Sequence, residues 1–461
     1  MILDRRSFIK SAGAAAMAAA LRGQQRQPNI VVILADDLGY GDLGCYGSPI
    51  ATPNIDRLAE EGARFTSFYS ASPVCSPSRA ALMTGRYPTR VEVPVVLGPG
   101  DAGLPDSEIT MAQVLKSAGY RTSCIGKWHI GSTPGYLPTN RGFDEFFGVP
   151  YSADITPCPL MRGSSVVAPA VDCSTLTSSF TQEALDFMRR AQDNPFFLYL
   201  AHTAPHLPLA ASPRFAGQSG LGMYADVVQE LDWSTGQVMA ALKATGLDSN
   251  TLVMFSSDNG PWYQGSQGKL RGRKGETYEG GMREPFLARY PGVIPSGIGC
   301  AGLATTMDLL PTLARLAGAQ TPSNPLDGVD IWPVLTGERA EVDRDVFLYF
   351  DAVYLQCARL GRWKLHLSRY NTKAWSPLPP GGRVNLPLPR PELYDVVSDP
   401  QESYDCAASH PAIVADIRAR VERMVQTFPP GIIDAWQYTL SQKVIDAPVD
   451  GLPVPGGGQG G

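Results

Sequence analysis

The chain has 461 residues, which fits one large domain plus a smaller one rather than a single small core. Its residues are 44% hydrophobic and 18% charged, the balance of a soluble globular protein and not of a disordered or membrane one. A net charge of −5 excludes the basic surface that nucleic acid or an anionic membrane rewards, so an anionic ligand would need a local cluster of cations.

Residues 1–28 read as an export address. Asp4-Arg5-Arg6-Ser7-Phe8-Ile9-Lys10 precedes an Ala-rich stretch at 11–21, and paired arginines before a short, weakly apolar segment resemble a twin-arginine signal, with cleavage expected after Ala20. The apolar run falls short of the roughly 20 residues that a membrane span needs. The expectation is a periplasmic or secreted protein, carried folded by the twin-arginine export machinery, with no stable membrane span.

The next segment, 29–35, is a continuous apolar run that ends in Asp36-Asp37, as suits a strand buried on both faces of a parallel sheet. Further strands are predicted at 64–70, 120–125, 196–201, 251–257 and 286–290. Helical patterns lie between them at 54–61, 111–118, 176–190, 224–244 and 307–317, with Thr52-Pro53 and Thr110 at starting positions. Alternating strands and helices imply an α/β domain over 29–341, a large mostly parallel sheet flanked by helices. From 342 to 450 the rhythm changes to short strands at 346–351, 354–360, 363–367 and 392–396. A Pro-rich loop spans 377–391 and a helix follows at 411–426, which predicts a small antiparallel four-stranded sheet with a packed helix. Residues 451–461 form a Gly-rich tail.

In open α/β sheets, ligands bind beyond the carboxyl ends of the strands. Four polar clusters occupy such ends: Asp36-Asp37, Gly126-Lys127-Trp128-His129, His202 to His206, and Asp258-Asn259. Each alone has a bland reading, as a helix cap, a surface turn or a structural histidine; together they point to one site. Asp36, Asp37, Asp258 and Asn259 offer only oxygen, which selects Ca²⁺ or Mg²⁺ over zinc. With five histidines, two of them in the C-terminal region, a three-histidine zinc site plus a catalytic base is hard to assemble.

Cys75-Ser-Pro-Ser-Arg79 leads into Thr84-Gly85-Arg86. Pro77 favours a helix start, which puts Cys75 at an amino end whose dipole favours an anion, and Arg79 lies one turn on. A thiol beside a hard cation is a poor match, so an oxygen-bearing residue would fit better there.

These residues resemble the type I sulfatases, whose C-x-P-S-R…TGR motif they match and whose cysteine is converted to formylglycine. Gly119–Lys127-Trp128-His129, Asp36–Gly44, Ser257-Asp-Asn-Gly260, Lys274–Pro285 and Glu392-Leu-Tyr-Asp-Val396 are similar to the family's other landmarks, in order, from about 29 to 402. Val149-Pro-Tyr-Ser-Ala-Asp154 is similar to the serine-bearing loop of arylsulfatase A and the N-acetylgalactosamine-6-sulfatases. The resemblance implies an alkaline-phosphatase-like fold and a sulfate monoesterase acting on aryl or carbohydrate sulfates. It implies Ca²⁺, with Mg²⁺ the lesser alternative, held by Asp36, Asp37, Asp258, Asn259 and the modified Cys75. Arg79 would fix the hydrated aldehyde, which attacks sulfur in line, and His129 would assist it. Lys127, Lys274 and Ser152 would bind sulfate oxygens, and His206 would serve with Lys274 at the leaving oxygen. The partners implied are a sulfated small molecule or glycan and a formylglycine-generating or other sulfatase-maturing enzyme.

The alternatives are a phospho- or phosphonate-monoester hydrolase of the same superfamily, or a non-catalytic sulfated-glycan binder if Cys75 stays unmodified. His202 reads as loop structure or pocket wall, Tyr278-Glu279-Gly280-Gly281 as a shaper of the Lys274 loop, and Arg271 and Arg273 as anion-recognising or merely solvated. Cys45, Cys124, Cys300 and Cys357 read as buried thiols. Eight cysteines allow one or two bridges, and a Cys158–Cys173 disulfide is expected because related arylsulfatases pin this region.

Overall fold

Strand β1 (Asn29–Ala35) is buried along its whole length. Ile30, Val32 and Leu34 enter one core while Val31, Ile33 and Ala35 enter a second core on the opposite face, the alternation a strand imposes. The protein is described by a computed structural model over residues 27–443; the expected export signal and Gly-rich tail lie outside the described residues.

Strands β2 (Ala63–Tyr69), β3 (Arg121–Lys127), β4 (Glu145–Val149), β5 (Leu160–Arg162), β6 (Ser165–Ala168), β7 (Phe196–Ala201), β8 (Thr251–Ser257), β9 (Arg283–Arg289), β10 (Ile298–Cys300) and β11 (Ala304–Thr305) complete the large sheet. Its order is β10-β2-β9-β8-β1-β7-β3-β4-β5-β6, with β11 on β2. β8, β1, β7, β3 and β4 run parallel, and β9 is antiparallel to both β8 and β2. Helices Cys75–Thr84, Met111–Ser117 and Leu309–Ala317 cover one face; Pro53–Glu60, Cys173–Arg190 and Met223–Ala244 cover the other. This is the expected α/β sandwich. The short strands β4, β5, β6, β10 and β11 add to it and carry too few residues to show a period. Thr110 caps its helix as expected, in a reciprocal box with Gln113.

One crossing in the parallel centre needs glycine. Gly126 has φ +110°, and a Cβ there would lie 1.8 Å from the Ala201 carbonyl oxygen on β7. That close approach immediately precedes Lys127.

The C-terminal region forms a second sheet, β12 (Phe347–Asp351), β13 (Tyr354–Leu360), β14 (Trp363–Tyr370) and β15 (Asn385–Asp395), antiparallel and in chain order. Two corrections arise here. β15 runs through the segment expected to be a Pro-rich loop: Pro387, Pro389 and Pro391 are tolerated because β15 is an edge strand bonded to β14 alone, with a register shift between His366 and Ser368. A second helix, Pro430–Ser441, follows the expected one at Pro411–Val425.

This sheet shares a core with Tyr69, Tyr87 and Met282 of the large domain. A buried charge network crosses the same boundary. Lys364 Nζ on β14 lies 3.1 Å from Glu279 Oε1 and 2.9 Å from Glu402 Oε1, and donates to the Thr277 carbonyl at 2.9 Å. Tyr69 donates to Glu279 at 2.6 Å, the Glu279 amide donates to Glu402 Oε2 at 2.7 Å, and His366 Nε2 sits 2.6 Å from Glu402. Gly280 and Gly281 let this loop close, because a Cβ on either would fall within 2.3 Å of a carbonyl oxygen, Gly272 and Glu276 respectively. Burial pushes the Glu402 carboxyl up, but Lys364 and His366 outweigh it and hold it at about 2, from 4.5. A depressed acid contributes stability above its unfolded pKa and loses it as pH falls through the folded value. Glu402→Gln should therefore destabilise the protein by roughly 3 kcal/mol at neutral pH. In urea titrations the gap to wild type should be full above pH 4.5 and shrink as pH falls towards 2.

Candidate active site

Register brings the strand ends together. Ala35 on β1 pairs with Ser257 on β8, Leu34 pairs with Ala201 on β7, and Ala201 pairs with Gly126 on β3. The residues at or just beyond these ends are Asp36-Asp37, Asp258-Asn259, His202 to His206 and Lys127 to His129, so the sheet places all four sequence clusters side by side. Asp37 has φ +64° and His129 φ +62°, left-handed conformations uncommon for residues other than glycine.

Asp36, Asp37, Cys75, Arg79, Lys127, His129, Ser152, Asp258, Asn259 and Lys274 are all buried. Arg79 Nε donates to Asp258 Oδ2 at 2.9 Å and its Nη1 to the Lys127 carbonyl at 2.8 Å, while Nη2 lies 3.5 Å from Asp36. Lys127 Nζ donates to Asp36 Oδ2 at 2.6 Å and to Ser152 Oγ at 3.2 Å. Lys274 Nζ reaches both Asp37 oxygens, at 2.7 and 2.8 Å. Asn259 Nδ2 donates to Asp37 Oδ1 at 2.8 Å, and the Asp37 amide donates to Asp258 Oδ1 at 3.2 Å. His206 Nδ1 lies 2.7 Å from the Leu207 carbonyl, leaving Nε2 3.6 Å from Asp37. A cavity lined by Asp36, Ser152, Thr203 and His206 opens beside them.

The electrostatics are polarised. Burial raises the Asp36 carboxyl, but Lys127, His206, Arg79 and Lys274 outweigh that and hold it far below the usual range. Burial, followed by the Asp36 charge, pushes Asp258 up to about 6. Burial and the neighbouring Lys127 and Arg79 depress His129 well below an ordinary histidine, so its ring is neutral at pH 7. Its Nε2 is 3.0 Å from the Leu97 carbonyl. A carbonyl only accepts, so Nε2 carries the proton and the buried, unpartnered Nδ1 carries the lone pair.

The donor set fits a hard divalent cation. Asp36 Oδ1 and Asn259 Oδ1 are buried acceptors with no hydrogen-bond partner, which is costly unless something positive meets them. Among the described residues the one close group of metal-capable acid and histidine atoms is Asp36, Asp37 and His206, within 4.8 Å of one another. Oxygens dominate that surface, as Ca²⁺ prefers.

Helix Cys75–Thr84 begins at Cys75 itself, two residues earlier than Pro77 suggests, with Pro77 in its first turn. Burial raises the Cys75 thiol pKa although Lys127 and Lys274 oppose it, so an unmodified thiol there is a poor nucleophile.

Other expectations change. Cys158 and Cys173 are free thiols: Cys158 Sγ lies 3.9 Å from the Tyr151 carbonyl, and Cys173 opens a helix capped by Asp172. Cys45 is only partly buried, unlike Cys124, Cys300 and Cys357. His202 is wholly buried, bonded at 3.1 Å to Ser234, and pushed by burial down to about 3. Arg273 donates to the Trp262 carbonyl and to Gln267, and Arg271 to the Glu402 carbonyl, so both hold loops. Sequence reading missed the Leu97 carbonyl that orients His129, because a main-chain group leaves no signature in residue type.

Comparison with known proteins gives a consistent answer. Residues 28–319 match the family described as Sulfatase. The chain is 42% identical over 423 residues to human arylsulfatase A, covering 82% of this chain and 83% of that one. It is 41% identical over 388 residues to the N-acetylgalactosamine-6-sulfatase of Rattus norvegicus, covering 77% and 74%. The crystal structure of Ps i-CgsB in complex with k-i-k-neocarrahexaose superposes with a TM-score of 0.74 at 33% identity, over 87% of this chain and 93% of that one.

A ligand that binds only the native state raises stability by mass action, about 2.7 kcal/mol at 100 times its Kd. Calcium should therefore raise the melting temperature of the wild-type chain, while Asp36→Ala and Asn259→Ala should lose that response. An unchanged calcium response in both variants would place the ion elsewhere.

Proposed function

This chain belongs to the sulfatase family, the sulfuric ester hydrolases, and on that premise we propose that it cleaves carbohydrate or aryl sulfate monoesters using formylglycine made from Cys75. The observation that carries the reading is the setting of Cys75. It lies buried at a helix amino end, within the fields of Lys127, Lys274, Arg79, Asp36 and Asp258, with a thiol that burial keeps protonated. When present, calcium at Asp36, Asp37, Asp258 and Asn259 supplies Lewis-acid stabilisation, and oxidised residue 75 supplies a hydroxyl nucleophile with an aldehyde exit.

The chain's own residues do the rest. Lys127 and Lys274 carry charge to the sulfate oxygens, Ser152 adds a hydroxyl, and Arg79 fixes the first helical turn against Asp258. Preorganised cations in a buried site act without reorganising at the moment of reaction. His129, neutral with its lone pair on Nδ1, accepts a proton from residue 75. His206 Nε2 and Lys274 attend the leaving oxygen. The signal at 1–28 would export the folded enzyme, so oxidation of Cys75 by a maturing enzyme precedes export.

Peptide mass spectrometry of protein from a host with sulfatase-maturing activity should find an aldehyde at residue 75. Cys75→Ala should fold normally and lose at least about 10³-fold in kcat/KM. Matured enzyme should turn over sulfate esters far faster than matched phosphate esters. Active enzyme carrying only cysteine at residue 75 would defeat the reading, and a preference for phosphate would favour the phosphohydrolase alternative.

A further inference from the structure

Lys274 has two ends with different neighbours. Its ammonium is bonded to Asp37 inside the site, while its carbonyl accepts a hydrogen bond from Trp375 Nε1 at 2.9 Å. Trp375 belongs to the loop between β14 and β15, so the C-terminal sheet reaches across to the wall of the sulfate pocket. The contact is closely built. Gly275 has φ +82°, and a Cβ there would meet Trp375 Nε1 at 2.7 Å and the Ala374 Cβ at 2.9 Å. Trp375 itself has φ +62°, a conformation that costs a non-glycine residue free energy and that concentrates at functional sites.

Trp375 does not stand alone. Trp262, three residues past the metal-set residue Asn259, packs edge-on against it with centroids 5.1 Å apart, and Tyr263 packs edge-on against Trp262 at 5.0 Å. Arg273 pins the assembly by donating to the Trp262 carbonyl while its guanidinium lies 5.0 Å from the Tyr263 ring. Even so, Tyr263 is 59% exposed and Trp375 52% exposed. Large aromatic rings held rigidly in water beside a buried anion pocket mark a ligand surface rather than a core. A cleft lined by Lys269, Arg271, Lys373 and one carboxylate, Glu276, is built from the segments that flank Lys274 and Trp375.

We propose that Trp262, Tyr263 and Trp375 form a stacking shelf for the pyranose rings of a sulfated glycan. The ring that carries the scissile sulfate ester, or its neighbour, lies on the aromatic faces while the sulfate group enters between Lys127 and Lys274. The proposal rests on the sulfatase reading and narrows its substrate from sulfate esters in general to glycan chains. A sugar suits the shelf because its axial C–H groups meet aromatic faces while its hydroxyls stay in water.

The test separates the shelf from the anion pocket. Full-length Cys75→Ala protein with calcium, unable to turn over, is titrated with inorganic sulfate and with sulfated oligosaccharides of two to six sugars from chondroitin sulfate, carrageenan and heparin. Binding is followed by calorimetry and by quenching of indole fluorescence. At least one oligosaccharide series should bind more tightly than inorganic sulfate and quench the fluorescence. Added to this background, Tyr263→Ala and Trp375→Leu should each weaken the oligosaccharide by about 10-fold, the worth of one aromatic contact, and leave inorganic sulfate within about twofold. Trp375→Phe, which keeps a ring and loses the N–H, should retain most of the oligosaccharide affinity. Melting curves confirm that each variant folds, and Tyr263→Ala, on an exposed side chain, keeps the test available if Trp375→Leu does not. Unchanged oligosaccharide affinity in the ring-removing variants, or no oligosaccharide binding with sulfate binding intact, overturns the shelf. Failure of matured wild-type enzyme to hydrolyse 4-methylumbelliferyl sulfate, together with no sulfate binding, overturns the sulfatase reading instead.

Discussion

Arg79 is the side chain on which the arrangement depends. Its guanidinium, buried completely, ties the helix that begins at Cys75 to Asp258 after β8, to the Lys127 carbonyl at the end of β3, and to Asp36 after β1. Three strand ends and the nucleophile's helix are thus fixed by one planar fork. Lysine could not replace it, because a single ammonium nitrogen lacks the planar fork whose separate nitrogens reach Asp258 on one side and the Lys127 carbonyl on the other. The fork also neutralises what surrounds it, and an uncompensated charge at this depth would cost about 3–5 kcal/mol.

The local charge follows from that constraint. Asp36, Asp37 and Asp258 face Arg79, Lys127 and Lys274, so the side chains balance among themselves and burial is tolerated. A divalent cation bound there would make the pocket net positive in a chain whose overall charge is negative. An anionic ester would therefore be drawn to one place and not to the surface at large. Burial and then the neighbouring Asp36 charge push Asp258 up to about 6, and a cation shared with Asp36 would relieve that repulsion. The Lys364–Glu279–Glu402 network repeats the logic at the lobe boundary, where the Glu279 loop that starts at Lys274 is clamped from the C-terminal sheet.

What could be read from residues alone was what chain order encodes. The run at 29–35, fully apolar and closed by two aspartates, announces a central parallel strand with polar groups at its carboxyl end, and β1 is that strand. The same logic brought Asp258-Asn259 and Lys127 to one edge. Lys274 sits on no such strand end, Arg79 was readable only as one helical turn past Cys75, and Ser152 follows β4, a strand too short to read; their roles in the site came from likeness to a family. The Leu97 carbonyl that sets the His129 tautomer could not be foreseen, because it depends on where a loop folds and not on what its side chains are. Pro387 to Pro391 misled because prolines argue against strands in general, and only knowledge of sheet order shows that this strand is an edge. Trp375 was hidden for a similar reason. More than a hundred residues separate it from Trp262, and nothing in spacing links a C-terminal loop to the wall of a site built at the other end of the chain.

Strand ends held by Arg79 would thus present an oxygen-rich seat for one hard cation beside residue 75. Anomalous diffraction from crystals of matured protein grown with calcium measures this directly, with energies chosen to separate calcium from zinc. A single calcium peak is expected at ordinary calcium–oxygen distance, about 2.3–2.6 Å, from Asp36, Asp37, Asp258, Asn259 and the oxygen of residue 75. A zinc peak centred on Asp36, Asp37 and His206, with Asn259 and residue 75 out of reach, would contradict it.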